Sequence, residues 1–145
     1  MDDEELKLSK GILESSLYCS DLDAAEQFYT VVLGLERIGR QLGRHVFFRC
    51  GQGVLLLFNP GKTAKEPSYV DGRIIPRHGT SGEGHLAFSI SASEIPLWRE
   101  HLQRHGVAIE EEIDWPEGGQ SIYFRDPAGN SLELATPAIW GLEGV

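Results

Sequence analysis

Basic residues and cysteines are both scarce in this sequence. Lys and Arg number 13 against 22 Asp and Glu, a formal charge of -9 with a pI near 4.9, so a phosphate backbone or an anionic membrane surface is a poor partner. Nucleic acid is excluded on that ground. Only Cys19 and Cys50 are present, with no Cys-x-x-Cys pair, so neither a disulfide framework nor a cysteine zinc site is written here. No apolar run approaches the roughly 18 residues that cross a bilayer. The first residues, Met1-Asp2-Asp3-Glu4-Glu5, are acidic where a signal peptide is basic and then apolar. The expectation is a cytoplasmic protein with no membrane partner. Glycine, by contrast, is abundant, 17 of 145 residues against a usual share of about 7%, which asks for many tight turns and points to strands. A chain of 145 residues suits one domain with its own core.

Two segments of the same element order follow one another. In the first, a strand-like stretch from Ile12 to Cys19 precedes an N-cap at Ser20-Asp21 and a helix ending near Gly34, with Leu22, Ala25, Phe28 and Val32 on its buried stripe. Three glycine-separated apolar runs come next, Leu35-Arg40, Arg44-Cys50 and Gly53-Phe58. The stretch from Asn59 to Gly84 has three prolines, five glycines and no sustained period, and reads as a flexible linker in preference to a mobile flap that places His78 over the site. The second segment then repeats the order: a strand His85-Ser91, an N-cap at Ser93, a helix carrying Ile95, Trp98 and Leu102 up to Gly106, and strands Val107-Ile113, Gln120-Arg125 and Asn130-Thr136. Phe47-Phe48-Arg49 lies over Tyr123-Phe124-Arg125 in the same register. The expected fold is α+β: one domain spanning 1-145, built of two βαβββ modules, about 11-59 and about 85-136, joined by a linker of about 60-84, with a cup-shaped mixed sheet.

Strand side chains alternate, so each strand splits into two faces. Glu14, Ser16 and Tyr18 oppose Leu13, Leu17 and Cys19; His85, Ala87 and Ser89 oppose Leu86, Phe88 and Ile90; Ser121, Tyr123 and Arg125 oppose Ile122 and Phe124; Ser131, Glu133 and Ala135 oppose Leu132 and Leu134. The apolar faces are expected against the helices. The other face is written in Ser, Ala, Tyr and isolated ionisable groups rather than the Lys, Glu and Thr of a solvated sheet, closer to the lining of a cavity. Glu14, His85 and Glu133 are its titratable groups, and one imidazole with two carboxylates suits one divalent ion, Mn, Fe, Ni, Co or Zn, with positions left open for water or substrate.

These residues carry a resemblance to the vicinal oxygen chelate superfamily, which includes glyoxalase I, extradiol dioxygenases, fosfomycin-resistance transferases and bleomycin-resistance proteins. It covers roughly Gly11 to Pro137 and is densest at Ser20-Asp21-Leu22-Asp23-Ala24-Ala25-Glu26-Gln27-Phe28-Tyr29, at Gly84-His85-Leu86-Ala87-Phe88, and at Phe124-Arg125-Asp126-Pro127-Ala128-Gly129-Asn130-Ser131-Leu132-Glu133-Leu134. The resemblance implies a cup that binds a divalent metal, which chelates neighbouring oxygens of a small-molecule substrate. His85 matches the family's histidine at the head of the second module, and Glu133 its carboxylate after the Asp-Pro-x-Gly-Asn turn. Glu14 falls where many members have His or Gln, which gives a harder, more anionic site. Leu55, Leu56 and Leu57 stand where glyoxalase I-like members place a glutamate. Tyr123 matches an active-site tyrosine of dioxygenase-like and fosfomycin-resistance-like members, implying substrate contact or proton donation.

Two functions from different classes follow. One is a metal-dependent lyase, isomerase or extradiol-type dioxygenase; for isomerisation a base takes a carbon-bound proton, and Glu14 or Glu133 is the candidate. The other is a metal-free sequestering protein of the bleomycin-resistance type, which has no use for three ligand-type residues. A homodimer is expected. His101 and His105, beside Arg99, Glu100 and Arg104, read as a solvated helix face; Arg49 and Arg125, in matching places, read as structural; Arg73 and Arg77 are the candidates for an acidic substrate; Trp115 and Trp140 either cover an end of the cup or pack as core aromatics.

Overall fold

The computed structural model describes residues 6–142. The first module runs β1 (Glu14–Tyr18), α1 (Leu22–Gln27), β2 (Glu36–Gln41), β3 (His45–Cys50) and β4 (Gly53–Phe58). Asp21 caps α1 by accepting from the Ala24 N–H. A wider π-turn, Phe28–Val32, extends the helix, and Gly34 ends it at a positive φ of 71°. The strands form a sheet in the order β1-β4-β3-β2, with β1 parallel to β4 and the rest antiparallel.

The second module repeats this with β7 (His85–Ser89), α3 (Ile95–Arg104), β8 (Glu111–Asp114), β9 (Gln120–Arg125) and β10 (Ser131–Ala135), in the order β7-β10-β9-β8. The expected α+β architecture of two βαβββ units is therefore present, as two four-stranded mixed sheets. Helix α3 starts from a capping box between Ser91 and Glu94. The cap falls at Ser91 rather than Ser93, because only Ser91 reaches the backbone and side chain of Glu94 together.

The connecting segment holds more structure than its lack of period suggests. A short helix α2 (Pro60–Thr63) is capped by Asn59, and β5 (Ser68–Val70) pairs with β6 (Arg73–Ile75) in a separate hairpin. Its apolar residues Tyr69, Val70, Ile74 and Ile75 are exposed.

One core serves both modules. Leu17, Cys19, Ala25, Tyr29, Val32, Phe48, Leu55 and Leu57 from the first pack in the same cluster as Ile90, Ile95, Leu102, Ile122, Phe124, Leu132 and Leu134 from the second. On the π-turn after α1 it is Tyr29, not Phe28, that is fully buried; its hydroxyl is satisfied by donating to Asp126. His101 is not on a solvated face either: its Nε2 lies 2.7 Å from the Val32 carbonyl, tying α3 to the first module. Leu13 falls outside the core at 75% exposure because β1 begins one residue later.

Candidate metal centre

Because the helix-bearing faces share one core, the opposite faces of both sheets point away from it. Glu14, Ser16, His85, Ala87 and Ser89 are all exposed. On the second sheet the alternation places His85 on β7, Glu133 on β10, and Ser121 and Tyr123 on β9 along one face. His85 Nε2 stands 3.3 Å from Glu133 Oε1, while His85 Nδ1 lies 3.0 Å from the Ser131 carbonyl oxygen. A carbonyl only accepts, so Nδ1 carries the hydrogen. Nε2 then turns its lone pair toward a carboxylate oxygen, an arrangement that a proton or a metal cation between them satisfies. This is the donor arrangement of a metal-ligating histidine, with one nitrogen held by a backbone carbonyl and the other aimed into the site.

Glu133 is 5% exposed. Its Oε2 accepts from the Ser121 hydroxyl at 2.5 Å, and Trp115 Nε1 donates to Ser121 Oγ at 2.9 Å. Among the described residues no Lys or Arg is within ion-pair distance of this buried carboxylate, and His85 Nε2 is the nitrogen that approaches it. A buried carboxylate so placed is costly without a cation, and a divalent ion fits the donor set. The sequence reading missed Ser121 and the Ser131 carbonyl, which are invisible without strand register.

Tyr123 lies directly opposite Glu133 in the β9–β10 register, and its ring stacks at 6.4 Å from the His85 ring. Burial first, and then the Glu133 charge, push its phenol above the ordinary tyrosine range. The phenol therefore keeps its proton to higher pH than a free tyrosine.

Glu14 occupies the matching face of the first sheet but is not brought to this pair. Among the described residues no group of three His, Cys, Asp or Glu could hold a metal ion within one chain. The seam between β1 and β7 explains this. Leu13 and Ser89 line the same cavity of about 210 Å³ at one end, while Asn130, which bonds the Gly84 N–H, donates to the Tyr18 carbonyl at the other. The strands pass in opposite directions, with Glu14 at one end and His85 at the other.

The first sheet's open face is otherwise aromatic. Tyr18, Phe58 and His45 share one register row and Phe47 the next. His78 reaches this face from the connecting segment: its Nδ1 is 2.7 Å from Tyr18 Oη, its ring lies edge-on to Phe58 at 4.5 Å, and its N–H donates to the Thr63 carbonyl. Arg125 is engaged by Glu110, Glu83 and the Gly129 carbonyl, and Arg49 by Glu36, the structural role expected.

A sequence model described as Glyoxalase: Glyoxalase/Bleomycin resistance protein/Dioxygenase superfamily matches residues 11–134. The metallothiol transferase FosB of Bacillus licheniformis is 30% identical over 131 residues, 90% of this chain and 77% of that protein. A crystal structure of lactoylglutathione lyase from Agrobacterium tumefaciens superposes with a TM-score of 0.87 at 40% identity, covering 94% of this chain and all of that one. A glyoxalase/bleomycin resistance protein/dioxygenase from Nocardioides shares the fold at 24% identity, with a TM-score of 0.69 over 98% of this chain and 90% of that one.

Proposed function

This chain belongs to the glyoxalase/bleomycin resistance protein/dioxygenase superfamily, and on that premise we propose that it is a divalent-metal-dependent enzyme of the lyase or isomerase kind. It acts on a small substrate with two neighbouring oxygens, in a homodimer where Glu14 of one copy completes the His85 and Glu133 pair of the other. The observation that carries this reading is the approach of His85 Nε2 to Glu133 Oε1, each residue's remaining polar atom being held elsewhere. The exposed Glu14, on the equivalent face of the other module, supports the composite site. When bound, the ion acts as a Lewis acid on the substrate's oxygens. Tyr123 donates a proton to the reacting oxygen, and Glu14, the more exposed carboxylate, accepts one from carbon.

Two carboxylates and one imidazole cancel the charge of a divalent ion, so the site favours hydroxyl and carbonyl oxygens over a dianionic phosphonate. The paired state of Arg49 and Arg125 points the same way. The aromatic row Tyr18, Phe58 and His45 suits the apolar remainder of the substrate. The lyase reading draws on the 40% identical Agrobacterium relative and on Tyr123 as a held proton donor. Two free cysteines fit a cytoplasmic setting.

The test is the metal content of protein purified without chelator or affinity-tag metal, beside a Glu14→Ala/His85→Ala double variant. About one ion per chain, absent from the variant, followed by turnover of an α-hydroxyacyl thioester, is the expected result. Wild-type protein that stays empty after incubation with Mn, Fe, Ni, Co and Zn sinks the proposal.

A further inference from the structure

We propose that Trp115 and Ser121 are positioning residues that turn Glu133 so that Oε1, and not Oε2, faces the metal position; this rests on the reading of Glu133 as a ligand. The direction of the hydrogen bonds follows from donor chemistry. An indole N–H can only donate, so at 2.9 Å Trp115 Nε1 occupies a lone pair of Ser121 Oγ. Ser121 is 1% exposed, and the acceptor its hydroxyl meets at hydrogen-bond distance is Glu133 Oε2. The serine proton therefore points at the carboxylate. Oε2 is engaged as an acceptor, and Oε1 is left on the His85 side.

The strands make this possible without a loop reaching into the site. Ser121 faces Ala135 in the register, two pairs along from Tyr123 and Glu133 on the same face, so serine and glutamate are diagonal neighbours across β9 and β10. Trp115 follows the last residue of β8 and is held by a tight turn, in which its N–H donates to the Gly119 carbonyl and its own carbonyl accepts from Gly118. Gly119 sits at φ 88°, and a Cβ there would come within 2.6 Å of the Ile139 backbone nitrogen. The turn is thus pinned against the chain after β10, and the indole is pinned with it.

The experiment measures Mn(II) affinity by calorimetry in Trp115→Phe, Ser121→Ala, Ser121→Thr and the Trp115→Phe/Ser121→Ala double variant, together with the Trp115 indole N–H resonance in metal-free protein. Trp115→Phe and Ser121→Ala are expected to weaken Mn(II) binding about ten- to hundredfold. Ser121→Thr, which keeps a hydroxyl, is expected to retain most of the affinity. The double variant is expected to be no weaker than Ser121→Ala, because the indole acts through the serine. A merely structural tryptophan would add its own effect. The indole resonance is expected to shift in both Ser121→Ala and Glu133→Gln. An unmoved resonance in those two variants, additive losses in the double variant, or unchanged Mn(II) affinity in Trp115→Phe and Ser121→Ala each overturn the relay. If the wild type takes up none of Mn, Fe, Ni, Co and Zn while the resonance still moves, the ligand reading of Glu133 fails and the hydrogen-bond relay stands.

Discussion

Tyr29 and Asp126, 97 positions apart, meet in the core through a 2.7 Å hydrogen bond from the phenol to the carboxylate. Asp126 also accepts from the N–H groups of Ala128 and Asn130 and from the Asn130 side chain. The helix of one module is thereby fastened to the Asp-Pro-Ala-Gly turn of the other, the turn that leads into β10 and Glu133.

Tyr29→Phe is expected to destabilise the protein by about 1–3 kcal/mol, since it strips a partner from a buried carboxylate while leaving the ring packing intact. Urea unfolding would read this as a lower midpoint at unchanged slope. Ring removal in Tyr29→Ala is expected to cost more, roughly 3–5 kcal/mol.

Mixing separately purified Glu14→Ala and His85→Ala chains is expected to restore metal sites that neither variant has alone. A random twofold pairing regains roughly a quarter of the wild-type sites, because each mixed dimer has one site with all its ligands and one with neither. Metal content after unfolding and refolding the mixture checks this; no recovery would place both ligand sets within single chains.

Tyr123→Phe is expected to reduce kcat about 10²- to 10⁴-fold, the range for loss of a proton donor, with metal content unchanged. Metal analysis of the variant beside its turnover separates this from loss of the site.

Stability is expected to fall with rising pH from about 9 to about 12. Burial first, and then the Asp126 charge, push the Cys19 thiol from 9.0 up to about 12. In that window the unfolded chain releases a proton that the folded chain retains, so each pH unit costs about 1.4 kcal/mol. Tyr29, also raised, acts in the same direction above its ordinary value of 10.0. Cys19→Ala should flatten the alkaline decline in a pH series of urea melts.

Much of this fold was legible because the two modules use ordinary local signals. Gly53–Phe58 and Gln120–Arg125 fall where their apolar runs predict strands, and the alternation in β9 and β10 sorts Ile122, Phe124, Leu132 and Leu134 into the core. The connecting segment was illegible for the converse reason. Its contacts are tertiary: His78 is fixed by Tyr18 from 60 positions away, and no periodicity encodes such a pair. At the site, His85 and Glu133 could be singled out as residue types on a polar face, whereas Ser121 on that face and Trp115 at the end of the cup carried no sign of their link to Glu133. Their importance lies in a diagonal register between strands and in which hydrogen-bonding group can only donate.

The shared core has a further consequence for assembly. In the homodimer proposed above, the first module's face and the second module's face meet their partners at an angle set by contacts such as Tyr29–Asp126 and Phe28–Phe124. Two surfaces that fit each other can close into a ring of two only when that angle permits; otherwise they propagate head to tail. A conservative substitution at the partly buried Phe28, such as Phe28→Leu, would then show itself as open-ended polymers that scatter light, while each chain keeps its native fold.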